Sequence, residues 1–131
     1  MTPNKRRTRT LRFHISIALG ILVLGTVGLW ALLGRQSHWA FWLGSWLLTT
    51  NVVTFGYYGY DKSCARGSRA RIPELVLHGL SAIGGSLGAY AGMVVFRHKT
   101  VKGTFRIYFW SIVTLQIALI IYVVSRIWSR G

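Results

Sequence analysis

Acidic side chains are almost missing from this sequence: Asp61 and Glu74 stand against 16 lysines and arginines, a formal charge of +14 at pH 7 over 131 residues. Charged residues of both signs make up only 14%, where a soluble domain of this size carries about a quarter. An ordinary soluble enzyme does not fit that balance. A single cysteine, Cys64, excludes an intramolecular disulfide and a Cys-rich zinc site. A lone thiol among basic residues reads as a bystander rather than a nucleophile. Also missing are a Walker loop, a Ser-His-Asp order, a serine elbow, an internal repeat and a linker long enough to separate two domains. No established catalytic class is specified.

What is present is apolar, at 52% of the chain, and collected into blocks with the cations between them. Four segments read as membrane-embedded helices: Phe13 to Leu33, Trp39 to Tyr60, Pro73 to Phe96 and Ile107 to Val124. Each approaches or exceeds the roughly 20 apolar residues that cross about 30 Å of hydrocarbon. The expected fold is therefore an all-α integral membrane protein, with a basic cytoplasmic tail at residues 1–12 and one membrane domain at 13–131. The first block follows Lys5, Arg6, Arg7, Arg9 and Arg12 but is too long for a signal-peptide core, and reads as a retained anchor.

Lysines and arginines near short loops are kept on the cytoplasmic side, so their distribution sets the orientation. If all four blocks cross, eleven cations fall inside and five outside; if the third block enters and returns, the split is thirteen to three. The second count favours a cytoplasmic N-terminus and a re-entrant third block. That block carries Gly84 and Gly85 at its midpoint, where glycine costs about 1 kcal/mol against alanine unless geometry needs it. A rival reading places Gly84, Gly88 and Gly92 on one face of a continuous helix that lets a neighbour pack closely. The two can hold together. Trp30 and Trp39 flank the outer loop, with Trp42 and Trp46 continuing one stripe, and read as anchors or packing surface.

Polar candidates lie on the second and third blocks. Asn51, Thr54, Tyr58 and Asp61 share one helical face directed into the bundle, where hydrogen bonds from Asn51 and Thr54 to a neighbouring helix are the favoured explanation. A loop is expected to follow from Asp61 and Lys62 through Cys64. Pro73 suits a first helical position, and Glu74 in the first turn is stabilised by the helix dipole. Glu74 and His78 lie one turn apart, with His98 as a third partner in the next loop. That spacing is a weak pattern for a metal or an acid–base pair, so no metal and no cofactor are assigned. Arg97, His98 and Lys99 belong to the densest basic run. Two acids cannot neutralise the cations of the two basic loops, which leaves anionic lipid, phosphate or a protein partner to meet them. If the chain turns at Gly84-Gly85, then Asp61, Lys62, Arg71, Glu74, His78, Arg97, His98 and Lys99 gather at one depth.

The ordered stretch Asn51-Val52-Val53-Thr54-Phe55, Tyr60-Asp61-Lys62, Ala65, Arg71-Ile72-Pro73-Glu74, Leu77-His78, Gly84-Gly85, Gly88, Arg97-His98-Lys99-Thr100, Lys102 and Phe105 resembles the family called domain of unknown function 1294. The resemblance covers about Asn51 to Phe105. It implies a small bacterial or archaeal integral membrane protein, and with the apolar blocks the expected place is a bacterial cytoplasmic (inner) membrane, multi-pass. Some members look like fusions to an amino-terminal cold-shock domain, from which residues 1–12 depart, being a basic tail without aromatic nucleic-acid-binding strands. The resemblance brings no reaction. The leading expectation is a non-enzymatic protein whose basic cytoplasmic face binds anionic lipid phosphate or a partner protein, a second copy included. The alternative is a membrane enzyme or transporter for an anionic lipid or polyisoprenyl phosphate, with Glu74 or His78 carrying a proton. Tethering of nucleic acid is the weakest reading, since cations beside a span already have a topological purpose.

Overall fold

The computed structural model describes residues 3–33, 39–67, 71–97 and 103–129, which form helices and, among those residues, no strand. Helix α1 spans Pro3–Leu32, α2 Trp39–Arg66, α3 Glu74–Leu80, α4 Ser86–Val95 and α5 Gly103–Trp128; a wide helical turn, Ser81–Gly85, joins α3 to α4. Helix α2 is the spine. It runs antiparallel to α1: the Tyr57 hydroxyl donates to the His14 carbonyl at 3.2 Å, and Trp30 stacks on Trp42 with ring centroids 4.7 Å apart.

Several boundaries move relative to the sequence. Helix α1 already begins at Pro3, inside the basic stretch, and α5 extends past the apolar block at both ends. The expected loop at Asp61, Lys62 and Cys64 is instead the last turns of α2, where Asp61 and Cys64 are each 1% exposed. Pro73 caps α3 with ψ 132 rather than occupying its first turn.

The third block breaks at Gly84, whose φ of 123 lies in a region that side-chain-bearing residues rarely adopt. Contacts along α2 give the direction of the chain on either side. The Ile72 N–H donates to Asp61 Oδ1 at 3.1 Å. Gly84 lies against Leu47 and Trp46. Past the break, Gly88 meets Asn51, Gly92 meets Tyr58, and Lys62 Nζ donates to the Arg97 carbonyl at 3.4 Å. The segment thus leaves α2 beside Asp61, descends about 21 Å to the level of Leu47, and returns to Lys62. Helix α5 descends beside it, with Phe105 against Tyr58 and Gln116 at the turn.

Among the described residues two helical stretches are long and apolar enough to cross a membrane, Thr8–Leu32 and Gly103–Trp128, and only 17% and 6% of their most apolar parts are buried. Most of their apolar side chains are therefore left uncovered within the chain. The expectation of four such segments is narrowed accordingly. Helix α2 dilutes its apolar residues with Ser45, Thr49, Thr50, Asn51 and Thr54, and the third block is cut into helices of 7 and 10 residues. The core that joins the helices lies toward the Asp61 end, where Tyr58, Leu77, Ala89 and Phe105 are fully buried.

Candidate functional site

A broken helix exposes the carbonyls of its last turn and the N–H groups of the next, and buried away from water each costs free energy until it finds a partner. At this break four consecutive carbonyls find side chains from two other helices. Gln116 Nε2 donates to the Ser81 and Ala82 carbonyls, each at 2.8 Å. Trp46 Nε1 donates to the Ile83 carbonyl at 3.0 Å, and Asn51 Nδ2 to the Gly84 carbonyl at 3.0 Å. Asn51 then turns its oxygen to α4, accepting the Gly88 N–H at 2.6 Å. One amide side chain therefore closes the end of the turn and the start of α4. Ser86 Oγ adds bonds to the Ser81 carbonyl and to Gln116.

Close approach makes these bonds reachable. A Cβ on Gly88 would fall within contact of the Asn51 backbone, and one on Gly92 would meet Tyr58 Cβ at 2.7 Å. Gly84 makes the break, which overturns the continuous helix of the rival expectation, while its close packing at Gly88 and Gly92 holds and Gly85 joins them in letting α4 and the turn lie on α2. Asn51, Thr54, Tyr58 and Asp61 do face the bundle. Thr54 is a correction, since its hydroxyl donates to Thr50 of its own helix at 2.6 Å rather than to a neighbour. Trp46 and Gln116 were not among the sequence candidates. The signal for Gln116 was present, a lone amide in an apolar helix, which seeks an interhelical partner.

At the opposite end of α2 the return of the hairpin brings charged residues to a common level. Asp61, buried, holds the start of the α3 segment through Ile72, and Lys62 holds the end of α4 through Arg97. Arg71 is exposed beside Ile72, and Glu74 is half-buried in the first turn of α3. His78 is half-buried and stacks on Phe105, ring centroids 4.3 Å apart, with Tyr108 at 5.7 Å. Its ring packs α3 against α5. Arg97 is exposed with φ 45, a left-handed conformation that costs a residue with a side chain about 1–2 kcal/mol. His98 and Lys99 lie outside the described residues, and with them the third partner expected for Glu74 and His78. Among the described residues no three His, Cys, Asp or Glu side chains gather as a metal site.

The family model described as "Protein of unknown function (DUF1294)" matches residues 51–105. The matched stretch contains Asn51, the break, and both ends of the hairpin; Trp46 and Gln116 lie outside it. The chain is also 34% identical over 64 residues to the uncharacterized protein YsdA of Bacillus subtilis (strain 168), covering 49% of this chain and 72% of that protein. No solved structure gives a significant match.

Proposed function

The chain belongs to the DUF1294 family, and from that premise we propose that it is a small integral membrane protein whose basic end binds anionic lipid headgroups on the cytoplasmic side. In this reading α1 and α5 span the bilayer, α2 crosses beside them, and the α3–α4 hairpin enters from the cytoplasm and returns. The N-terminus is cytoplasmic. The exposed side chains from Ile117 to Ser129 of α5 face lipid or a further membrane helix, of a second copy or a partner.

One observation carries the reading: the hairpin ends where it began, beside Asp61 and Lys62 of α2. That return, with α1 antiparallel to α2, puts the amino ends of α1, α3 and α5 and the carboxyl ends of α2 and α4 together, and with them Arg9, Arg12, Lys62, Arg66, Arg71, Arg97 and Arg106. A cation close to an anionic membrane surface gains about 1 kcal/mol, screened by salt. Half-length helices suit a bilayer only if protein covers their break, and the side chains of Trp46, Asn51 and Gln116 supply that cover.

Quantitative lipid mass spectrometry of the purified full chain tests the proposal. Anionic lipids enriched over the composition of the source membrane, with enrichment falling as salt is raised, are expected. A retained lipid pool identical to the bulk membrane sinks the proposal. A lipid species that changes on incubation, and no longer does so in His78→Ala, favours the enzymatic alternative.

A further inference from the structure

We propose that the junction of α2 and α4 at the basic end is a discrete receptor for a phosphate monoester carried on a hydrocarbon chain, held by Lys62, Arg66 and Arg97. The proposal rests on the membrane reading above and narrows it from a basic face to one headgroup class at one place. A cavity of about 450 Å³ opens there, lined by Gly59, Lys62, Ser63, Arg66, Phe96 and Arg97 among others. Three cations line it and, among the described residues, no acid does. Its volume falls within the roughly 300–1,000 Å³ of small-molecule sites, which suits a headgroup with the top of its hydrocarbon stem better than a bare anion. One wall is apolar in keeping. Gly59 lacks a Cβ that would meet the Phe96 ring at 2.8 Å, so Phe96 lies on α2 beside Phe55, ring centroids 5.0 Å apart.

The backbone of Arg97 supplies an independent observation. A helix that stops in the left-handed conformation ordinarily uses glycine there, because a side chain adds strain. At φ 45 the chain instead carries an arginine, whose planar fork of N–H donors matches phosphate oxygens. The strain is borne by the residue whose side chain reaches the cavity. Lys62 Nζ donates to the Arg97 carbonyl at 3.4 Å, which couples two of the cations, and Arg66 follows Lys62 by one turn on the same face of α2. Ser63 turns its hydroxyl back to the Gly59 carbonyl at 3.1 Å, so the charged donors among the lining residues are those of the three cations. A phosphate monoester carries about −1.5 to −2 at pH 7, against a single charge on a diester, and is the better electrostatic match for three positive groups.

The test is a titration of the full-length protein in detergent, read by native mass spectrometry. The probes are phosphatidic acid, a polyisoprenyl monophosphate, phosphatidylglycerol, phosphatidylcholine and inorganic phosphate. Both monoesters are expected to bind roughly tenfold tighter than phosphatidylglycerol, and a preference between them identifies the carrier chain. Arg66→Gln and Arg97→Gly each bring monoester binding down toward the diester, whereas Arg126→Gln, at the far end of α5, leaves it unchanged. Arg97→Gly is the decisive variant. Glycine takes that φ without strain, so the melting temperature holds or rises while binding falls; a purely structural Arg97 would move both in the same direction. Equal binding of all anionic lipids, with losses that follow total charge wherever it is removed, overturns the receptor and leaves the anionic-lipid reading standing. No preference for any anionic lipid over phosphatidylcholine overturns both. Inorganic phosphate binding as tightly as the lipids overturns the hydrocarbon requirement.

Discussion

Asn51 and Gly88 are joined twice over: the Gly88 N–H donates to Asn51 Oδ1 at 2.6 Å, and the missing Cβ of Gly88 leaves room for the Asn51 backbone itself. The bond caps α4 from another helix. The contact allows α2 and α4 to approach closely enough for that bond, and Asn51 Nδ2 then reaches the Gly84 carbonyl.

Gly88→Ala is therefore expected to lower stability by about 1–3 kcal/mol, through overpacking against backbone that cannot move aside. Gly88→Leu should abolish a monodisperse fold in detergent. The control is Gly79→Ala, where nothing lies within 4 Å of an added Cβ and helix propensity improves by up to about 1 kcal/mol. Thermal melts should rank Gly79→Ala highest, Gly88→Ala below it and Gly88→Leu lowest. A wild-type melt for Gly88→Leu would mean that α4 does not pack on α2 through this face.

Gly84→Ala tests the break itself. At φ 123 a side chain is strained whatever the space, and Leu47 Cδ2 already lies 3.0 Å from the added Cβ. A loss of about 1–3 kcal/mol is expected. Fluorescence of Trp46, which bonds the neighbouring Ile83 carbonyl, should change in the same variant if the turn rearranges.

Gln116→Leu removes the donor to the Ser81 and Ala82 carbonyls while keeping α5 apolar. Interhelical hydrogen bonds in membranes contribute about 0.6 to 1.7 kcal/mol, so a measurable loss is expected although a hydrophobic residue replaces a polar one. Amide exchange around Ile83 to Ser86 should accelerate more than exchange near Phe105. Uniform acceleration along the chain would assign Gln116 to general packing instead.

The topology is tested by labelling in a Cys64→Ser background. Thr104→Cys, at the start of α5, is expected to react with an impermeant thiol reagent only after the cytoplasmic side is exposed, and Ser129→Cys only from the other side. Thr104 reacting from outside in intact cells would reverse the proposed return of the hairpin across the membrane.

Legibility of the sequence differed from element to element. The break is legible in Gly84-Gly85 because no other residue takes that φ cheaply, and the return of the chain to Lys62 agrees with the turn that the cation count favours. The last turns of α2 read as loop in the sequence because Asp61 and Lys62 look like a membrane boundary. Asp61 and Cys64 are instead buried there, with the Ile72 N–H on Asp61 eleven residues away, a contact that no local pattern reveals. The polar face of α2 suggests an interhelical bond for Thr54, which the Thr50 carbonyl of its own helix takes instead. Trp46 was read as anchor or packing, since an indole near a membrane edge has an adequate explanation without a hydrogen bond.

By itself the sequence determined an all-helical chain, its apolar blocks, the glycine break and the family to which residues 51–105 conform. These follow from local rules: hydropathy, the conformational range of glycine and the order of short motifs. Only the folded structure decided which of the described helical stretches pass as long and apolar enough to span, Thr8–Leu32 and Gly103–Trp128. It also decided that four carbonyls at the break are satisfied by Gln116, Trp46 and Asn51, and that Lys62 and Arg97 meet where α4 ends. Such pairings join residues more than thirty positions apart. They exist because a backbone group buried at a break must take its partner from whichever helix the fold brings alongside, and that choice is made by packing.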